Sequence, residues 1–195
     1  MPAETKGAQT RRAVLDAAIA RFGRDGHRAT SVADIARDAG VGNTVPYAYF
    51  ANKEALFLAA LDEDAAGVIR EGLSSVLDDG DVQDWQQALL STLLDAVGRH
   101  PLARRMLAGL EPEITERVLE IPALAELRVA CAERLRAQQL VGRVRQDIDP
   151  VSIANGIVAM NLSLLMSVVQ VGGGAASTYA DDVAAVFRAA IEPAT

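Results

Sequence analysis

The stretch Thr30–Lys53, TSVADIARDAGVGNTVPYAYFANK, admits few folds. Ser31 is a strong helix N-cap, and Asp34 three residues later puts a carboxylate in the first turn, where the positive end of a helix favours it. Val32, Ile35 and Ala36 then share one face, with Ala36 small enough for a crossing helix to approach closely. Gly40 is the residue type that takes positive φ after such a helix, and Val41 is placed to fill the angle beyond it. A short capped helix, a glycine turn and a second short segment make a helix-turn-helix pattern, whose second element lies in a DNA groove.

The flanks agree with that pattern. Residues 1–9 are small and polar and are expected to form a disordered arm. From Thr10 the chain turns helical, with Leu15, Ala18, Ile19 and Phe22 on one apolar stripe and Gly26 closing the helix. Arg11 and Arg12 stand at its exposed start, placed for phosphate contact. The whole chain of 195 residues carries a net charge of −7, which by itself argues against nucleic acid. The charge is uneven, however. Residues 1–54 hold eight Arg/Lys against six acids, whereas the rest holds 11 against 20. A mildly basic head on an acidic body suits a head that meets phosphate while the body does something else.

Three runs, LDAAIARFGRDG (Leu15–Gly26), TSVADIARDAGV (Thr30–Val41) and YAYFANKEALF (Tyr47–Phe57), resemble the DNA-binding domain of TetR-family transcriptional regulators. The likeness spans Thr10–Phe57. It departs at Gly42–Pro46, where the family commonly has Ser, a variable residue and Gly-Thr-Leu before the Tyr. Gly42 is a poorer cap than Ser, Pro46 has no N–H to donate, and Val45 before proline is pushed away from the helical region. Two registers fit: a helix capped at Gly42 with Pro46 late in its first turn, or one starting a turn later near Thr44. The first is expected.

Beyond Phe50 the chain reads as all-α. Asn52 caps a long helix to about Leu77, ended by DDGD at Asp78–Asp81. Further helices are expected at about 82–99, 101–109, 112–120, 122–145, 150–171 and 179–191, several opened by proline. The resulting organisation is a disordered arm (1–9), a three-helix helix-turn-helix DNA-binding domain (10–54) and a larger helical ligand-binding and dimerisation domain (55–195). The segment Val151–Ala180 has no charged residue. Its interrupting Asn155, Asn161, Ser163, Ser167 and Gln170, with acidic flanks at Asp149 and Asp181, favour a buried helix over a membrane span.

The resemblance implies a homodimeric repressor that reads a palindromic operator and is released by a small molecule bound in the helical body. It implies DNA contacts at Thr30, Ser31, Gly42, Asn43, Thr44, Val45, Pro46, Tyr47, Tyr49 and Lys53, together with Arg11 and Arg12. Asn43 suits adenine, and the Thr44 and Val45 methyls suit thymine. Trp85, Met106, Leu110, Leu127, Cys131, Met160, Asn161 and Met166 are candidates to line a ligand pocket. The last two helices, through Ile153, Ile157, Leu164, Val168, Val183 and Phe187, are candidates for the dimer interface. His27 and His100 match no metal-ligand spacing, so no metal and no cofactor are expected. No nucleophile, phosphate-loop or metalloprotease motif appears, which argues against an enzyme. A lone Cys131 and a polar start without a targeting segment fit the cytoplasm. An all-helical protein-interaction module is the competing reading.

Overall fold

The apolar periodicities become eight α-helices and a 3-10 turn in a computed structural model that describes residues 5–77, 85–113, 120–172 and 174–193, with 174–181 and 184 described in their backbone alone. No strand occurs among the described residues. The head comprises α1 (Lys6–Ala29), α2 (Val32–Asp38) and the 3-10 turn Val45–Ala48. The body comprises α3 (Lys53–Leu77), α4 (Trp85–Arg99), α5 (Pro101–Leu107), α6 (Pro122–Leu140), α7 (Pro150–Val171) and α8 (Gly174–Ile191).

Several boundaries differ from expectation, each for a local reason. Helix α1 starts at Lys6, so residues 6–9 belong to a helix and not to a disordered arm; residues 1–4 lie outside the described residues. Thr5 caps it, its hydroxyl accepting from the Ala8 N–H at 3.3 Å. Extending a helix already formed from Thr10 avoids a new nucleation cost. Helix α6 stops at Leu140 instead of running to 145. The Gln139 amide turns back to donate to the carbonyls of Arg145 and Ile148, at 3.0 and 3.1 Å, and holds the following loop. Helix α7 ends where the Gly172 N–H reaches Val168 O, and α8 begins at Gly174, five residues ahead of the expected Tyr179. Of the helix expected at 112–120, only the ends are described, with Pro112 and Glu113 in a 3-10 turn. The Asp78–Asp81 terminator lies outside the described residues.

Helix α3 joins head to body. Asn52 caps it, Oδ1 accepting from the Ala55 N–H at 2.8 Å. Its 25 residues rise about 37 Å at 1.5 Å each. Val14, Leu15, Ala18 and Phe22 of α1, Ile35 of α2 and Phe57 of α3 form one buried cluster that continues without interruption into the body. Phe22 and Phe57 meet edge to face at 5.0 Å, and the His27 ring packs on Phe57 at 5.0 Å. Such aromatic pairs add about 0.5–1.5 kcal/mol beyond the area they bury. Helix α5 also closes on α1. Pro101 sits so near Gly23 that a Cβ there would come within 2.7 Å of the proline Cβ.

One charged residue lies in the middle of this packing. Asp64 occupies the apolar face of α3 and is 4% exposed. Its Oδ2 accepts from the Leu102 and Ala103 N–H groups, both at 2.9 Å, and Oδ1 lies 2.8 Å from His100 Nδ1. The first-turn donors of α5, orphaned by helix geometry, are thus satisfied by a carboxylate from α3.

Candidate nucleic-acid interface

Within the head, the turn between α2 and the recognition segment has the expected chemistry. Ser31 accepts from the Asp34 N–H at 3.1 Å and donates to Asp34 Oδ2 at 2.7 Å. Gly40 has φ +68, and no atom lies within 4 Å of where its Cβ would stand, so the glycine is needed for the backbone angle and not for space. The Val41 N–H reaches Ala36 O at 2.9 Å. Arg21 grips Asp38 with two bonds of 2.6 and 3.0 Å, which fixes the end of α2 against α1. That guanidinium holds the Asp38 carboxyl below its ordinary range.

The recognition segment itself corrects the expected register. No helix is capped at Gly42. Instead a tight turn, Val45 N–H to Gly42 O at 2.9 Å, leads into a 3-10 turn from Val45, with Thr44 at its N-cap. Proline explains the later start. In an α-helix begun at Gly42, the Pro46 ring would run into the carbonyl four residues back. The tighter pattern, Tyr47 N–H to Thr44 O and Tyr49 N–H to Pro46 O, avoids that clash.

This geometry sorts the candidate DNA contacts. Gly42, Asn43 and Thr44 are exposed together at the outer edge of the head, and Val45 is half-buried. Tyr47 and Tyr49 are exposed, and the Tyr49 hydroxyl lies 3.8 Å from where a Gly7 Cβ would be, beside the first turn of α1. Ser31 is exposed as well as capping. Pro46 is buried and does not face a groove. Thr30 is 3% exposed, its hydroxyl turned inward to donate to Gly26 O at 2.8 Å, so it closes α1 instead of facing outward. Lys53 Nζ donates to His27 O at 2.8 Å and to Thr30 O at 3.1 Å, a cation on the carbonyl end of α1. Two of its three protons are therefore engaged within the head. Arg11 is exposed over the Phe50 ring at 5.3 Å. Arg12 bonds Asp16 at 2.9 Å and Glu63 at 3.0 Å, so it braces α1 against α3.

In the body, a cavity of about 60 Å³ opens between α3, α4, α5, α6 and α7. Of the pocket candidates, Met106, Leu127 and Asn161 are among its lining residues; Leu61, Leu93, Leu124, Val158 and Leu165, which were not among the candidates, line it too. Five candidates lie elsewhere. Leu110, just past the end of α5, is 57% exposed, and Met160, one residue before Asn161 on α7, is 44% exposed. Met166 packs on the core from the side. Trp85 is fully buried away from the cavity, with Nε1 donating to Gln138 Oε1 at 3.2 Å. Cys131 is buried in the core, and burial pushes its thiol up to about 12. Sequence reasoning also missed Asp64 and the pair Arg105–Glu111. The signal for Asp64 was present, since a carboxylate between Leu61 and Val68 sits on an otherwise apolar stripe.

Helix α5 meets both regions. Ala103, Met106 and Leu107 line the cavity. On its other side, Glu111 accepts from Arg105 Nε at 2.7 Å and from the His27 N–H of α1 at 3.2 Å. Arg28 pairs with Glu113 beside it.

The family profile for bacterial regulatory proteins of the tetR family matches residues 14–60, from within α1 through α2 and the recognition segment to the first turns of α3. A transcriptional repressor of the helix-turn-helix type from Mycobacterium tuberculosis, Rv1474c, is 32% identical over 149 residues, covering 72% of each chain. The chain belongs to the TetR family of bacterial transcriptional regulators. A second repressor of this type, SCO4008 from Streptomyces coelicolor, is 29% identical over 178 residues, or 87% of each chain. The TetR fold also extends through the body. The Bacillus subtilis transcriptional regulator FadR, solved in complex with stearoyl-CoA, superposes with a TM-score of 0.69 at 18% identity, covering 93% of this chain and 99% of that one. Within this family frame, the dimer candidates divide. Ile157 (1% exposed) and Phe187 (8%) are spent on the subunit's own core and leave little surface for a partner. Ile153, Leu164, Val168 and Val183 are half-buried.

Proposed function

We propose that this TetR-family regulator is a homodimeric repressor that binds a palindromic operator and releases it when a small molecule occupies the body cavity. The observation that carries the reading is the double engagement of α5. Its inner face lines the cavity through Ala103, Met106 and Leu107, while Arg105 and Glu111 tie it to the end of α1. A ligand that prefers one position of α5 thereby prefers one position of the head. By linkage, it shifts the population away from the operator-competent spacing.

On the DNA side, exposed Asn43 and Thr44 are the base-reading residues, with Val45 at their border. Tyr47, Tyr49, Arg11 and the third proton of Lys53 serve the phosphates. The body is acidic and takes no part in DNA contact. For the dimer, α7 offers an uncharged outer face. It is the one described helix long and apolar enough to cross a membrane, with a hydropathy of 1.7, yet only 28% of that window is buried within the subunit. Val151, Met160 and Val171 are exposed along it, and Val186 on α8. Pairing α7 and α8 with their copies covers this surface and sets two heads to read a palindrome in the cytoplasm.

A gel shift with the DNA upstream of the gene, at two salt concentrations, tests the reading. The expected result is a specific complex that weakens steeply with salt and dissolves with at least one member of a chemically diverse compound panel. An intact dimer that binds no adjacent palindrome removes the operator reading. A complex that no compound dissolves removes the ligand reading.

A further inference from the structure

Among its described lining residues, the body cavity has a single polar side chain, Asn161, and no charged one. Asn161 is 2% exposed. Its Nδ2 donates to Ile157 O at 2.8 Å, which fixes the orientation of the amide, since the opposite orientation would set two oxygens together. Its Oδ1 is buried without a hydrogen-bond partner. Buried acceptors left unsatisfied are uncommon and destabilising. Here the orphan belongs to a residue that lines an otherwise apolar space.

We propose that the cavity takes an uncharged, compact apolar ligand bearing one hydrogen-bond donor, which Asn161 Oδ1 receives. This rests on the ligand-responsive reading above and names its ligand class. A hydroxyl or an N–H answers an acceptor; a ketone or ether oxygen does not. A carboxylate or phosphate would meet the Asn161 oxygen and apolar walls with no cation among the described lining, at a large desolvation cost. Size adds a second constraint. At about 60 Å³ the cavity is well below the roughly 150 Å³ that accepts benzene in an apolar protein core. A ring-sized ligand therefore enters by moving a wall. Helix α5, at seven residues the shortest helix of the lining, is a wall tied to α1 through Arg105 and Glu111. The donor supplies recognition and the bulk supplies displacement.

The test uses full-length protein and three probes of one shape: cyclohexanol, cyclohexanone and cyclohexanecarboxylate at pH 8. Binding is read by calorimetry and by the shift in thermal midpoint. The alcohol is expected to bind at least about tenfold tighter than the ketone, with the carboxylate weakest. Asn161→Leu, which replaces the amide by an apolar group of similar size, is expected to level alcohol and ketone by weakening the alcohol. Asn161→Ala, which shortens the side chain instead, is expected to level them as well, so the result does not hang on one variant folding. A preference for the alcohol that survives both substitutions overturns the assignment, as does tighter binding of the carboxylate or no binding of the alcohol. If the operator complex is instead dissolved by an anionic compound, this inference fails while the ligand-responsive reading stands. If no compound of any charge dissolves it, that reading fails too.

Discussion

Asp64→Ala is the sharpest structural perturbation available in this fold. The side chain accepts two backbone N–H groups from the start of α5, each at 2.9 Å, and faces His100 Nδ1 at 2.8 Å. Truncation leaves the Leu102 and Ala103 donors buried against α3 with nothing to accept them. Each such donor costs about 1–3 kcal/mol. The His100 ring, at the partly open edge of the site, recovers water on one side. The expected loss is about 3 kcal/mol, near the low end for breaking a buried polar cluster. For a chain of this size that corresponds to a fall of roughly 6–12 °C in thermal midpoint. Asp64→Asn keeps an oxygen for both N–H groups and is expected to lose about 1 kcal/mol. Urea unfolding at one fixed protein concentration measures both, because the proposed dimerisation makes the midpoint concentration-dependent. A loss under about 1 kcal/mol for Asp64→Ala would show that α5 needs no acceptor from α3. An asparagine variant as damaged as the alanine would show that charge, and not capping, is what the site requires.

Three further outcomes follow from single side chains. Burial and the Lys53 ammonium lower the His27 imidazole below its ordinary 6.5, so the folded chain holds it neutral. The unfolded chain takes up that proton as pH falls through about 6.5, so the associated stability is complete above that pH and declines below it until the folded imidazole titrates. The stability of wild type minus that of His27→Phe, which keeps a ring against Phe22 and Phe57, should therefore shrink between pH 7.5 and 5.5; a difference constant with pH refutes this. Lys53→Met removes two hydrogen bonds to the end of α1 and should cost about 1 kcal/mol of stability. It should also lower the salt slope of operator binding by about 1; an unchanged slope means that Lys53 does not reach a phosphate. Cys131, its thiol pushed up to about 12 in the core, should react with an aromatic disulfide reagent only in denaturant, and rapid labelling of native protein contradicts its placement.

What could be read from the chain beforehand was what short-range chemistry determines. Ser31, Asp34 and Gly40 specify their cap and turn within ten residues of each other, and Asn52 caps α3 as its position suggested. Prolines 101, 122 and 150 each opened the helix expected of them. Pro46 was the ambiguous case. Proline is tolerated in a first turn, but the choice between registers depended on the clash with the carbonyl four residues back, a three-dimensional constraint. Tertiary partners were harder still. Thr30 looked like a groove residue because its hydroxyl is polar, yet that hydroxyl closes α1 on Gly26 O. Large or soft side chains proved a poor guide to the cavity, because Leu110 and Met160 turn outward while Leu61, Leu124 and Leu165 turn in. The clasp from Arg105 and Glu111 to His27 joins positions 84 residues apart and has no signature in either neighbourhood.

The central claim, a paired head that reads a palindrome through the edge at Gly42–Val45, is tested most directly by selecting full-length wild type and Asn43→Ala on random double-stranded DNA. The account predicts that wild type enriches a two-fold symmetric site with half-sites about one helical turn apart. It also predicts that Asn43→Ala relaxes one base position in each half, by about 1–3 kcal/mol, and leaves the spacing unchanged. Sites without dyad symmetry, or identical preferences at every position for the two proteins, would contradict it.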